Sequence, residues 1–176
     1  MIHHYHVSSE REVTFSLDFE IQADATFAQL MDLLIDTLDF DPASIGMFYI
    51  CDDRWQNVGQ VAHSDFFESD AGNQYEIEKT RLEDLLDDTG ARMRYLYDFF
   101  EDRYLRLQLV KIHSGSLSSP QIISLEGKKP RQTNPDEFVG GLDGDTPLGM
   151  MDETFDEELF NADELSSDSF SIVDEE

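Results

Sequence analysis

Asp98, Glu101 and Asp102, followed by Arg103, are the residues whose types and spacing come nearest to chemistry in this chain. Carboxylates clustered this closely could share a proton, or hold a hard cation such as Mg²⁺ or Ca²⁺ through oxygen ligands. A tight turn selects the same residue types, because short polar side chains satisfy the backbone where two strands reverse. Nothing nearby supplies a paired base, a nucleophile or an oxyanion donor, so the turn reading is preferred. His3, His4 and His6 raise a metal question. On a strand, His4 and His6 project to one face and His3 to the other, which is too few ligands for zinc. Spacing gives no reason for His63 or His113 to join them. No catalytic residue, metal or cofactor is assigned.

The elements around these residues are read from periodicity. Met93, Tyr95, Tyr97 and Phe99 form one strand face, and Leu105, Leu107 and Leu109 another, so the acidic cluster falls between two strands. Upstream, Val13, Phe15, Leu17, Phe19 and Ile21 alternate with polar residues as a half-buried strand. It pairs through a turn near Ser9–Arg11 with a first strand whose inner face includes Tyr5 and Val7. Thr26 and Gln29 stand at capping-box spacing before Phe27, Leu30, Met31, Leu34 and Leu38, which predicts a helix that Pro42 prevents from continuing. MFYICD and WQNVGQVA predict a hairpin across Asp52 and Asp53. Residues 62–79 are polar and expected to be irregular. Thr80 and Glu83 predict a second, short helix closed by Gly90, and Gln121–Leu125 predicts a last strand. The order implies an α+β domain, an antiparallel or mixed sheet with helices packed on one face.

Charge divides the chain. Of 176 residues with a net charge of −27, residues 143–176 hold thirteen acids and no Lys or Arg. We read 1–126 as the folded domain, 127–142 as a Pro- and Gly-containing linker, and 143–176 as an acidic tail expected to be disordered. Phe155, Leu159, Phe160 and Phe170 interrupt the tail's acids, and such a segment can dock its apolar residues on a partner. A chain this acidic repels phosphates and anionic lipid, so direct nucleic-acid and membrane binding are excluded, and the partner implied is a basic or hydrophobic protein. The lone Cys51 rules out an internal disulfide, no apolar run approaches membrane-spanning length, and the start MIHHYHVSSE lacks secretory character. The expected location is the cytoplasm.

The N-terminal hairpin, DATFAQLMDLLIDTLDFD followed by FYICDD, and TRLEDLL leading into YLYDF together resemble the plasmid open-reading-frame-three-like family of Ri-plasmid type. Its members are also described as TnpR-like insertion-element passengers. The resemblance covers about residues 1–125 and is nearest to a divergent, acidic-tailed Bacteroidetes-type branch. It implies a compact α+β fold around a curved sheet, and no established activity. Phe100 and Glu101 stand where family members carry Gly and Asp, and KKPRQTNPDEFVGG lacks the family's cysteines. A metal or catalytic role built on those positions is therefore not carried over.

A TnpR-type recombinase would need a nucleophile ringed by arginines and a basic DNA-binding face, whereas here twelve basic residues are scattered among 39 acids. Phosphate-loop, dinucleotide-binding, nucleophile-elbow and zinc-protease patterns are lacking. The reading is a non-enzymatic protein-interaction module. Nucleic-acid mimicry, in which carboxylates occupy a DNA-binding protein's phosphate site, is the alternative; a metal-assisted hydrolase using Asp98, Glu101 and Asp102 is the less favoured one.

Overall fold

Alternation of apolar and polar residues produces eight strands among the described residues, and these join in one sheet. The structure, a computed structural model, describes residues 1–67 and 72–133. In chain order the elements are β1 (Ile2–Ser9), β2 (Ser16–Gln22), α1 (Phe27–Leu38), β3 (Met47–Cys51), β4 (Asn57–Ala62), a 3-10 turn (Ser64–Phe66), β5 (Asn73–Glu76), α2 (Leu82–Leu85), β6 (Arg92–Asp98), β7 (Arg103–His113) and β8 (Gln121–Glu126). The sheet order is β5-β4-β3-β6-β7-β1-β2-β8. Neighbours are antiparallel except for the β4–β5 pair, which makes the sheet mixed.

This corrects the expected α+β class. Among the described residues the chain is mostly one large mixed sheet with a twelve-residue helix and a single helical turn, not a sheet with a layer of helices. The second helix is short for a physical reason. Leu82 and Leu86 are one turn apart, so a single turn buries both, and exposed Asp87 and Asp88 follow with no apolar face left to cover. Its start also lies one residue later than Thr80 predicts: the Asp84 carboxylate accepts from the Arg81 N–H at 3.0 Å. Gly90, at φ +100, serves the turn into β6 and does not cap the helix.

Three further expectations are corrected. β2 begins at Ser16, and Val13 is 90% exposed in the β1–β2 connection, because the chain closes a longer turn whose Phe15 N–H donates to Glu12 O. Phe99 lies in the β6–β7 turn and is exposed. Residues 62–79, expected to be irregular, contain β5, and Ile77 there is fully buried, with its N–H donating to Ala62 O. Four polar-looking residues pair there because a central neighbour already exists; isolated pattern could not reveal that.

Helix α1 follows its sequence closely. Thr26 caps it, the Thr26 hydroxyl and Gln29 carbonyl exchanging bonds with each other's backbone N–H. Its buried stripe, Phe27, Leu30, Leu34 and Leu38, meets Tyr5, Leu17, Phe19, Phe48, Tyr95 and Leu107 from one sheet face in a single core. Aromatic rings stack through it: Tyr5 on Phe19, Phe48 on Tyr95 and Phe40 on Tyr97, the last pair at 4.8 Å and nearly parallel. Each fully buried Leu or Phe contributes about 1.5–3 kcal/mol by leaving water.

The opposite sheet face is a mixture. Met47, Ala62 and Leu96 form a small apolar cluster with Tyr49, Phe67 and Tyr104. Beside it Arg94 faces Arg106 across the β6–β7 pair, and like charges placed so repel unless dispersed. Arg94 lies over the Tyr104 ring and donates to Asn57 Oδ1 at 2.6 Å, while Arg106 binds Glu10 Oε1 through two nitrogens at 2.7 Å. Trp55, in the left-handed region at φ 64 in the β3–β4 turn, receives Arg92 and Arg106 over its ring at 5.5 and 5.2 Å.

Gly127 sits at φ +75, where a Cβ would come within 2.1 Å of Thr14 O. Both the conformation and the contact exclude a side chain. Gly127→Ala is expected to lower unfolding stability by about 1–3 kcal/mol, read from the urea midpoint, whereas Gly72→Ala, which meets nothing within 4 Å, should cost less than about 1 kcal/mol.

Candidate functional site

Strand β6 ends at Asp98 and β7 begins at Arg103, so Phe99, Phe100, Glu101 and Asp102 make the turn between them. The turn closes with Asp102 in the left-handed region at φ 52, a conformation Asp tolerates through local hydrogen bonding. Asp98 is the buried member, at 2% exposure. Its Oδ1 accepts from the Phe100 and Glu101 N–H groups, both at 3.2 Å, which is how the turn is held. Its Oδ2 accepts from the Thr133 N–H at 2.7 Å and lies 3.7 Å from Arg103 Nε.

The other two carboxylates face different donors. Glu101 Oε2 lies 3.7 Å from Arg103 and 3.9 Å from Arg11, while Arg11 also donates to Glu101 O. Asp102 Oδ1 accepts from the Tyr104 hydroxyl at 2.7 Å. Arg103 thus lies between Asp98 and Glu101, while Asp102 turns to Tyr104. Burial alone would raise the Asp98 pKa, but hydrogen bonds from Thr133 and Glu101 and the Arg103 charge outweigh it and hold the carboxyl below its ordinary value. A general acid working near neutrality needs the opposite shift.

Asp98 also explains the path of residues 128–133. Lys129 pairs with Asp39, and Pro130 is buried. Arg131 O accepts from Arg103 at 2.9 Å, and the Gln132 side chain donates to Tyr97 O at 2.6 Å while accepting from the Asp41 N–H at 2.7 Å. With Thr133 on Asp98, this segment is strapped across the end of β6 and the C-terminal end of α1. The Pro- and Gly-rich composition that suggests a linker does not reveal these side-chain anchors.

The histidines are distributed as strand alternation requires, with one addition. His3 is buried, its Nδ1 3.1 Å from the Tyr5 hydroxyl. His4 and His6 share the opposite face, where both approach Asp18 Oδ1, at 3.4 and 3.1 Å. His4 also lies 3.5 Å from Glu20 Oε1, and His113 from β7 reaches that same oxygen at 2.9 Å. Ser124 of β8 donates to Asp18 Oδ2. The antiparallel registers bring His113 opposite Ile2 in β1, a juxtaposition that no sequence spacing contains. The carboxylates are consumed as acceptors in this ladder. For Asp18, burial pushes the pKa up but the His6, Ser124 and His4 hydrogen bonds prevail, and for Glu20 the His113 bond leads the lowering. Among the described residues, no three His, Cys, Asp or Glu side chains are grouped to hold a metal ion. Among them too, no helix is long and apolar enough to cross a membrane. The tail residues Phe155, Leu159, Phe160 and Phe170 lie outside the described residues.

These features define a mixed-sheet domain whose most conspicuous polar clusters fasten one strand or strap to the next. The chain belongs to the plasmid pRiA4b ORF-3-like family, whose sequence profile matches residues 11–173, well past the 1–125 span of the motifs above. No curated protein matches it. Among solved structures it is similar to a protein of unknown function, MM3350, from Methanosarcina mazei Go1. The two share 16% identity and a TM-score of 0.57 over 70% of this chain and 68% of that one, a likeness of fold.

Two outcomes follow. Asp98→Ala leaves three N–H donors without their acceptor and should destabilise the chain by about 2–3 kcal/mol in urea unfolding. Because the folded-state pKa of Asp98 is depressed, its stabilisation is present above the ordinary carboxyl value near about 4 and is lost as pH falls through the folded value, so stability declines on acidification below about pH 5. That decline should be shallower in Asp98→Ala than in the parent. Zinc at micromolar excess should leave the melting temperature unchanged; an upward shift, lost in a His4→Ala/His113→Ala variant, would contradict the assignment of these histidines to the strand ladder.

Proposed function

We propose that this protein is a non-enzymatic, cytoplasmic interaction module that engages a basic or hydrophobic protein partner, with the acidic, aromatic-containing segment 143–176 as a recognition element. The observation that supports this reading is the charge balance. Seven of the twelve basic residues, Arg11, Lys79, Arg81, Arg103, Arg106, Lys128 and Lys129, already face carboxylates of the chain itself. The surplus of acids is therefore left for solvent or for a partner. Asp98 accepts from three backbone N–H groups and shares Arg103 with Glu101, and Asp102 accepts from Tyr104, so these carboxylates are occupied in holding the turn, which speaks against the hydrolase reading.

The test is affinity capture with the full chain and with a chain ending at residue 142, followed by reconstitution with the purified captured protein. A basic or apolar partner should bind the full chain, and deletion should weaken it about tenfold or more, with matching circular dichroism spectra for the two baits. Equal binding by both would remove the recognition role of residues 143–176. Displacement of DNA from the captured protein, reversed by salt, would instead favour mimicry.

A further inference from the structure

Strand β8 is the outermost strand beside β2, and among the described residues no strand lies beyond it. Its free side presents a row of backbone N–H and C=O groups to which another strand can add. The opposite edge is protected: β5 has only four residues, and its one large apolar side chain, Tyr75, packs against the core. β8 is longer, carries no proline and no charge before Glu126, and leaves Ile122, Ile123 and Leu125 at 42%, 53% and 39% exposure.

The pairing with β2 decides which way these side chains point. Ile122 lies opposite Phe19 and Leu125 opposite Leu17, and directly opposed residues share a face, so both project on the side of the core. They stand three residues apart because the register shifts between Asp18 and Phe19, which makes Ile123 the additional residue of a bulge. A bulge can spoil an edge for pairing, yet this one sets Ile122 and Leu125 on one face. Gln121, Ser124 and Glu126 lie opposite Glu20, Asp18 and Ser16 on the other face, where the Ser124 hydroxyl donates to Asp18. The apolar row of the core therefore runs out to the edge and stops there half-exposed.

We propose that β8 pairs with β8 of a second copy of this chain, antiparallel about a two-fold axis perpendicular to the sheet, joining two eight-stranded sheets into one. The segment is complementary to itself in that arrangement. Full overlap of residues 121–126 sets Ile122 of each copy opposite Leu125 of the other on the core face, which continues the apolar row across the junction. Gln121 comes opposite Glu126 on the other face, so an amide donor meets a carboxylate and no acid meets an acid. In a chain of net charge −27, the uncharged run 121–125 lets two copies approach without opposing carboxylates. A foreign strand finds the same backbone groups but must reproduce this match, whereas a copy supplies it. One strand from each copy is a narrow contact, so the expected dissociation constant is on the order of micromolar. Salt screens the repulsion between two such acidic chains, so the dimer tightens as salt is added, opposite to a complex held by ion pairs.

Sedimentation velocity of the full chain, from about 1 to about 200 µM, should shift from the 20.2 kDa monomer to a species of twice that mass, more completely at about 0.5 M than at about 0.05 M NaCl. Ile122→Lys/Leu125→Lys sets charge on the pairing edge and should raise the dissociation constant about tenfold or more. Val58→Lys/Val110→Lys adds the same charge at exposed positions of β4 and β7 and should change it less than about twofold. If the β8 lysine pair fails to fold, Ile123→Cys replaces it: the two copies of residue 123 flank the axis, so oxidation should link them as a disulfide dimer, while Val58→Cys should not link. A chain monomeric at every concentration, a dimer indifferent to the β8 lysines, a dimer weakened by salt, or no cross-link through residue 123 would overturn the pairing. A monomer whose outward-facing β8 amides nonetheless resist hydrogen exchange would give the edge to another occupant and equally overturn the second copy.

Discussion

The arrangement depends on an exchange of hydrogen bonds between two helix starts. Every helix leaves its first N–H groups without partners, and a buried start must find acceptors elsewhere. Here the first N–H groups of α1, from Phe27 and Ala28, donate to Thr80 O and Ile77 O, and those of α2, from Leu82 and Glu83, donate to Ala25 O and Ala23 O. The residues leading into each helix supply the other helix's missing acceptors. The exchange fixes the segment between β5 and β6 against the segment between β2 and α1, and with it the packing of Leu82 and Leu86 beside Phe27. A single turn as short as α2 has little stability of its own, so this reciprocal bonding and its two buried leucines account for its presence.

The sheet around that exchange treats its two faces differently. One face is closed by α1 and carries the core. The other carries ladders of histidine, carboxylate, arginine and aromatic rings that lock neighbouring strands without a second apolar layer. In a chain with so large an acid surplus these ladders place its few cations where they do most for cohesion: Arg106 on Glu10 ties β7 to the end of β1, and Arg103 joins the β6–β7 turn to the strap. Among the described residues, no cation of this kind pairs with the exposed outer surface of α1.

Local pattern carried a large part of this architecture. The capping pair Thr26 and Gln29, the stripe Phe27 to Leu38 and the alternation of Leu17, Phe19 and Ile21 are decided within a few residues, and sequence displays them directly. Asp98, Glu101 and Asp102 were likewise legible as a turn. What was hidden involves partners distant in the chain. β5 exists because β4 offers it an edge, His113 meets Glu20 because of two strand registers, and Thr133 reaches Asp98 because residues 128–133 fold back. The overestimate of helix had a local cause: leucines at helical spacing after Thr80 fit a single turn as well as a longer helix.

The stacking of Arg92 and Arg106 over Trp55 has an optical consequence. Trp55 is the sole indole in the chain, and it is covered by guanidinium groups from two strands while its own backbone is held by the Asp52 turn. Its emission therefore reports one place, the junction of the β3–β4 turn with β6 and β7, with no background from elsewhere. Loosening of that junction would register as a red-shifted, more readily quenched signal even while the core beneath the opposite face stayed intact.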